Sequence, residues 1–152
     1  LGTFIERGDN TARILDMKYH ILLPAVSYVG SSVDISQWEN ILRSVSAYQS
    51  YRWLNENEIN PLGICNYLIL DPRLPRSLNF CSKNISSNLN SLSHFYNKDF
   101  LSLEKSLEFS KYLELVPIDQ VFKTGLHEFL SNFLATFNSI SAQIEKDFRF
   151  YK

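Results

Sequence analysis

The chain contains 152 residues and carries 15 Lys and Arg side chains against 16 Asp and Glu, which gives a formal net charge of -1 at pH 7. Hydrophobic residues make up 45 % of it and aromatic residues 14 %, which excludes a disordered chain because this apolar surface can offset the entropy lost on folding. The near-zero charge argues against a general binder of nucleic acid or of anionic membranes, since both need an excess of cations. One domain spanning residues 1–152 is expected at this length.

The two cysteines and the hydropathy pattern set the expected compartment. Cys65 and Cys81 do not form a Cys-x-x-Cys pair, and we expect two free thiols rather than a disulfide. No apolar run reaches the roughly 18–20 residues of a membrane-spanning helix, and the N-terminus lacks the segments of a signal peptide. Cytoplasm is therefore the default location.

The first predicted helix runs from about Leu1 to Leu22 or Leu23 and ends before Pro24, because proline disfavours helix in the residue before it. Its apolar and small residues recur at spacings of four and three, as in a helix with one buried face: Leu1, Ile5, Gly8, Ala12, Leu15, Tyr19 and Leu22. No N-cap residue precedes this pattern, so we expect the chain to be part of a longer protein.

The middle of the chain predicts two more helices. Residues 25–34 are predicted to form a loop, and Ser36 with Glu39 matches a capping box that opens a helix to about Leu54. Asn60 and Pro61 predict the cap and first residue of a short helix to about Leu70, since proline is favoured at that position.

The second half predicts three further helices. After the rigid connector at 71–75, Pro75 is expected to open a helix whose apolar side continues to Leu92. Asp99 is expected to cap a helix through Leu113, and Pro117 precedes a long helix from Ile118 to about residue 151. No segment shows strand-like alternation. The sequence therefore predicts an all-α bundle of about five or six mostly antiparallel helices.

A row of polar residues lies opposite the apolar side of the first helix, at about 100° per residue. Its members are Glu6, Asp9, Asn10, Arg13, Asp16, Met17 and His20, and Arg7 lies between this row and the apolar side. The simplest interpretation is a solvated face with ion pairs of about 0.2–0.5 kcal/mol each.

Two functional alternatives remain open for this row. If a second helix covers Glu6 and Arg13, the charged groups lie in a cleft with shifted proton affinities and room for a polar ligand. The acids with Asn10 and His20 could also hold a divalent cation through oxygen ligands, although their spacing matches no metal motif, and we expect no metal and no cofactor.

Two further features are candidates for a site. Arg73 and Arg76 bracket Pro75 at a predicted helix start, where an anion would meet the helix dipole; pairing with nearby acids is the simpler interpretation. His127 lies near the apolar side of the long helix. A lone histidine in such a place is more often a core or edge residue with hydrogen-bonded ring nitrogens than a catalytic base. No nucleophile elbow, Walker loop, dinucleotide fingerprint or His-Glu-x-x-His motif is present.

The first sixteen residues, LGTFIERGDNTARILD, contain a Glu-Arg-x-x-Asn-x-x-Arg core. This segment closely resembles the signature of the bacterial alpha-E domain family, all-helical proteins of unknown activity. The resemblance continues through residues 18–20, Trp38, the Ala47-Tyr48 region, residues 71–77 with Cys81, and residues 125–130.

The resemblance implies a context rather than a reaction. Members are associated with circularly permuted ATP-grasp ligases and transglutaminase-like peptidases, in systems proposed to make, modify or cleave peptides. The motif residues that match are Glu6, Arg7, Asn10 and Arg13, with Asp9 and Asp16 beside them.

Three functions are compatible with that context. The first is an accessory or peptide-binding module acting with such an enzyme. The second is an enzyme acting on amide bonds through the Glu6–Arg13 face. The third is a structural bundle that forms homo-oligomers through its aromatic faces.

The chain departs from the family pattern in two ways. It resembles only the C-terminal part of the domain, because the family's architecture includes an additional N-terminal helical region with its own Glu-Arg motif. Gly8 also stands where the family commonly has Ala, which is expected to cost up to about 1 kcal/mol of helix stability.

Overall fold

The computed structural model describes residues 1–20, 30–56 and 58–149, without the side chains of residues 19 and 20. This part of the chain folds into eight helices and contains no strand: α1 Gly2–His20, α2 Ser32–Ser44, α3 Tyr48–Leu54, α4 Pro61–Ile69, α5 Leu78–Tyr96, α6 Leu101–Leu115, α7 Ile118–Thr124 and α8 Leu126–Phe148. The all-α prediction is therefore confirmed. The predicted number of five or six helices is wrong, because two of the predicted helices are each interrupted.

The four longest helices form the core of the fold. Helix α1 packs against α5 and α8, and α6 packs against the same two helices, so these four form a closed ring. Leu15, Leu89, Leu113 and Phe133 are among the side chains buried inside it. Helices α2, α4 and α7 are attached to this ring through contacts with α1, α5 and α8 respectively, and α3 is attached through α2.

Gly8 lies where α1 approaches both of its neighbours in the ring. A Cβ atom at Gly8 would lie 2.6 Å from Cε1 of Phe137 in α8 and 3.4 Å from the Cβ of Cys81 in α5. Ala12 and Leu15 are fully buried on the same side of α1, as predicted. The glycine therefore provides the space for the Phe137 ring. This packing explains why a residue that is unfavourable inside a helix lies at this position.

The predicted start of α2 is wrong, because the N-cap residue is Ser31, five residues before the predicted Ser36. The hydroxyl oxygen of Ser31 accepts a hydrogen bond from the Asp34 N–H at 3.3 Å, and the Asp34 carboxylate accepts one from the Gly30 N–H at 3.0 Å. Ser31 and Asp34 thus supply the caps that the sequence assigned to Ser36 and Glu39. Residues 32–34, predicted as loop, are helical, and residues 21–29 lie outside the described part of the chain.

The helix predicted to run to Leu54 is interrupted after Ser44. Ser46 adopts a positive φ of 57°, and the Ala47 N–H bonds the Leu42 carbonyl oxygen at 2.8 Å, which closes the end of α2. Glycine usually occupies such a position, and a serine gives no sequence signal for it.

The long helix predicted from Ile118 is also interrupted, at Gly125, whose φ of 100° is accessible mainly to glycine. Helix α5 begins at Leu78 rather than at Pro75, because the Ser77 side chain accepts a hydrogen bond from the Phe80 N–H. Asp99 does not cap α6, whose N-cap residue is Phe100.

Other local predictions are confirmed. The Asn60 side chain caps α4 by accepting a hydrogen bond from the Gly63 N–H at 2.6 Å, with Pro61 in the first turn. Cys65 and Cys81 are buried free thiols. Within the described residues, no helix combines the length and apolarity that crossing a bilayer requires.

We predict that Gly8→Ala destabilises the fold, although alanine is the better helix former. The added methyl group would overlap the Phe137 ring, and such overpacking costs typically about 1–3 kcal/mol, against a propensity gain of about 1 kcal/mol. Urea unfolding measures the difference.

Gly2→Ala is the matched control, because nothing lies within 4 Å of a Cβ at that position. In a Phe137→Leu background the penalty of Gly8→Ala should shrink. An equal penalty in both backgrounds would show that Phe137 is not its cause.

Candidate functional site

The polar row of α1 is divided between exposed and half-buried side chains. Glu6, Asn10 and Arg13 are exposed, whereas Asp9 and Asp16 are half-buried. The Arg13 side chain is 60 % exposed, so no helix of the described part of the chain covers the Glu6–Arg13 face. We call Glu6, Asn10 and Arg13 the exposed motif face.

Asp9 holds Arg13 in place within α1. The Arg13 Nε lies 2.8 Å from one Asp9 carboxylate oxygen and Nη2 lies 3.1 Å from the other. This hydrogen bonding, supported by the charge of Asp9, raises the pKa of Arg13 above its ordinary value. An exposed pair at this spacing contributes about 0.3–0.5 kcal/mol, so its main effect is to orient the guanidinium group.

Asp16 connects the end of the polar row to α8. Its carboxylate oxygen Oδ1 lies 2.6 Å from His127 Nδ1. The hydrogen bond with Asp16 raises the pKa of His127, while burial acts in the opposite direction. His127 is thus an edge residue with a polar partner, and residue spacing does not indicate a contact between residues more than a hundred positions apart.

The connector before α5 engages one of the two arginines proposed to bind an anion. Arg73 contacts both carboxylate oxygens of Asp71, with Nε at 3.0 Å and Nη2 at 2.7 Å. Hydrogen bonding from Arg73 lowers the pKa of Asp71 against the opposing effect of burial. Arg76 forms no ion pair with a described residue. Arg73 and Arg76 therefore do not share a partner among the described residues.

Cys81 of α5 lies at the point where α1 comes closest to α5. The Cys81 thiol is 3.8 Å from the carbonyl oxygen of Pro75, and the Gly8 position faces Cys81 across the helix contact. Burial raises the pKa of Cys81 to about 12, and the charges of Arg7 and Arg76 both act to lower it. We call this contact between Gly8 and Cys81 the α1–α5 seam.

A buried ion pair joins α1 to α2. Lys18 is 3 % exposed and Asp34 6 % exposed, and the Lys18 Nζ lies 2.5 Å from Asp34 Oδ1 and 2.6 Å from Gln37 Oε1. The ammonium group also lies 5.3 Å from the centre of the Trp38 ring. Burial acts to raise the pKa of Asp34, but hydrogen bonds from Lys18 and Gly30 outweigh it and the pKa is lowered.

Sequence reasoning missed Lys18, although a signal for it exists. Gly8, Thr11, Leu15 and Lys18 follow one another at spacings of three and four and are all buried. Lys18 therefore continues the buried side of α1, where a lysine requires a partner. The partner itself lies on another helix and has no signal in the sequence.

The structure also bears on the divalent-cation alternative. In the described part of the chain, no group of three or more His, Cys, Asp and Glu side chains is arranged to hold a metal ion. The side chain of His20 lies outside the described residues.

The fold and this geometry define an all-helical protein whose first helix presents a Glu-Arg motif at a helix contact. Glu6-Arg7 is the only Glu-Arg dipeptide in the sequence. The chain belongs to the Alpha-E family: a family model described as a predicted alpha-helical domain with a conserved ER motif matches residues 1–148. No curated protein and no solved structure matches the chain significantly.

The extent of this match corrects one expectation. The sequence suggested that the chain corresponds only to the C-terminal part of the domain. That suggestion is not borne out, because the match covers nearly all of the chain, from residue 1 to residue 148.

We predict that Lys18→Met lowers the free energy of unfolding by about 3–5 kcal/mol, because Asp34 would keep a buried charge without its partner. The double variant Lys18→Met/Asp34→Asn should recover part of this loss. Lys83→Met is the control, since Lys83 forms an exposed ion pair with Glu114 at 3.1 Å and should change stability by at most about 1 kcal/mol. Equal losses at Lys18 and Lys83 would contradict the role of burial.

The Asp16–His127 pair predicts a pH-dependent stability. Because folding raises the pKa of His127, the pair stabilises fully below the pKa of an unfolded histidine, near about 6.5, and the effect is lost as the pH rises through the raised pKa. Unfolding of the wild type and of His127→Gln should therefore differ more at about pH 5.5 than at about pH 8.5. An Asp16→Asn background should abolish this dependence; a difference that grows toward alkaline pH would refute it.

Proposed function

We propose that the protein is an accessory helical module that binds a peptide or a partner protein through the exposed motif face. The observation that carries this proposal is the exposure of Glu6, Asn10 and Arg13 on a helix whose opposite side is buried in the bundle. A helix fixed in this way presents polar groups in a constant arrangement.

The chemistry of the exposed motif face suits peptide recognition. Arg13 offers a planar donor group for a carboxylate or carbonyl oxygen, Asn10 offers both a donor and an acceptor, and Glu6 accepts hydrogen bonds from amides. Asp9 already orients Arg13, so less side-chain entropy is lost when a ligand binds.

The same exposure argues against catalysis on this face. General acid–base chemistry on amides depends on carboxyl groups with shifted proton affinities and on a site that excludes water. Glu6 is exposed and forms no ion pair with a described residue. A binding role is therefore the better-supported proposal.

The resemblance noted in the sequence suggests the class of partner. We propose a circularly permuted ATP-grasp ligase or a transglutaminase-like enzyme that makes, modifies or cleaves peptides in a bacterial cytoplasm. The resemblance to the family supports this class of partner. The exposed motif face supports a role in binding that partner, in which this chain itself carries out no reaction.

The experiment is a binding measurement between this chain and the ligase and peptidase candidates from the same genome. Glu6→Gln/Arg13→Met should weaken binding about tenfold or more, as expected for the loss of charge-assisted hydrogen bonds. Glu108→Gln/Lys111→Met is the matched control, because both side chains are exposed on α6.

Equal binding by the wild type and the motif variant would refute the proposed surface. Amide-bond activity that requires Glu6 and Arg13 would support the enzyme alternative instead. A concentration-dependent oligomer with no heterologous partner would support the structural alternative, and light scattering distinguishes it.

A further inference from the structure

A cavity of about 230 Å³ lies between α6 and α8, next to the end of α7. Its walls are four aromatic side chains, two from each of the long helices: Phe109 and Tyr112 of α6, and Phe129 and Phe133 of α8. The two from α8 belong to the buried core, whereas Phe109 is half-buried and Tyr112 is 48 % exposed. Aromatic surface is therefore left uncovered at this point of the bundle.

The core of the bundle supports the walls of this cavity. The rings of Phe109 and Tyr112 are nearly parallel, at 20°, with centres 6.3 Å apart, and the Phe133 ring lies 5.5 Å from that of Phe109. Phe133 packs in turn on Phe137, with ring centres 4.5 Å apart. Since Phe137 is the ring that lies against Gly8, the walls are continuous with the packing that holds the four long helices together.

Polar side chains complete the lining of the cavity. Thr124, Asn132 and Thr136 belong to it, and none of the three forms a side-chain hydrogen bond within the described residues. Their hydroxyl and amide groups can both donate and accept. No charged residue is found among the described residues that line the cavity, so it suits a neutral ligand; an ion would lose hydration there without gaining a partner.

The volume and the aromatic walls define the chemistry of the ligand. An apolar protein cavity of about 150 Å³ can hold benzene, so a space of about 230 Å³ accommodates one ring, or two fused rings, with a small substituent. The walls favour an aromatic guest over a saturated one of equal size, because offset-stacked and edge-to-face ring pairs add attraction beyond the burial of area.

We propose that this cavity binds a neutral aromatic ring that carries one amide or hydroxyl group. The ring lies among the aromatic side chains of α6 and α8, and its polar group bonds Asn132 or a neighbouring threonine. Such a ring belongs either to a small free compound or to a side chain of a peptide, which share this chemistry. No residue of the exposed motif face lines the cavity, so the site does not depend on the function proposed above.

The test is a titration of the intact chain, followed by the backbone amide signals of residues 124–136 in ¹H–¹⁵N spectra. The probes are benzamide, its anionic counterpart benzoate, and cyclohexanecarboxamide, which carries the same amide on a saturated ring. We expect benzamide to shift these signals in saturating fashion, and each counterpart to bind about tenfold more weakly or worse. The proposal is overturned if benzamide does not saturate, or if either counterpart binds as well as benzamide.

A fourth probe distinguishes the two sources of the ring. N-acetylphenylalanine methylamide presents the ring as a side chain between two peptide groups. Binding at least as tight as that of benzamide identifies a peptide side chain as the ligand, and weaker binding identifies a small free compound.

Variants separate the cavity from general binding to exposed aromatic rings. Tyr112→Ala removes one wall and should weaken benzamide binding about tenfold. Tyr96→Ala is the matched control, because Tyr96 is 56 % exposed and does not line this cavity, and it should leave binding unchanged. Thr136→Phe keeps every wall and places a ring in the cavity, so it should abolish binding even if Tyr112→Ala perturbs the fold. Equal losses at Tyr112 and Tyr96, or undiminished binding by Thr136→Phe, would show that the ring binds elsewhere.

Discussion

The close approach of α1 to α5 and α8 at Gly8 is the constraint on which the arrangement of the rest depends. A single missing side chain allows the Phe137 ring to lie against the α1 backbone and brings Cys81 to the same point. Protein interiors are packed densely enough that a displacement of one helix would change both contacts together. The closed ring of four helices therefore fixes the rotation of α1 about its own axis.

That rotation separates the two residues of the Glu-Arg motif. Because neighbouring residues on a helix lie about 100° apart, Glu6 is exposed while Arg7 is half-buried. The two charged residues of the motif thus lie in different environments, one open to solvent and one partly enclosed.

The sequence predicted those features that depend on local periodicity and capping. The buried side of α1, the Asn60 cap and the all-helical class followed from residue spacing and from the preferences of single residues. The breaks at Ser46 and Gly125 were missed for different reasons: the glycine was a usable signal, whereas Ser46 has a positive φ that its residue type does not indicate. The Lys18–Asp34 and Asp16–His127 pairs depend on how the helices pack together, and residue spacing along one sequence does not indicate that packing.

The buried thiol at the seam has a further consequence for how the protein responds to its environment. Cys81 is fully enclosed and protonated, so oxidants and alkylating reagents reach it only when α1 separates from α5. The rate of its modification in the native protein therefore reports how often that pair of helices opens.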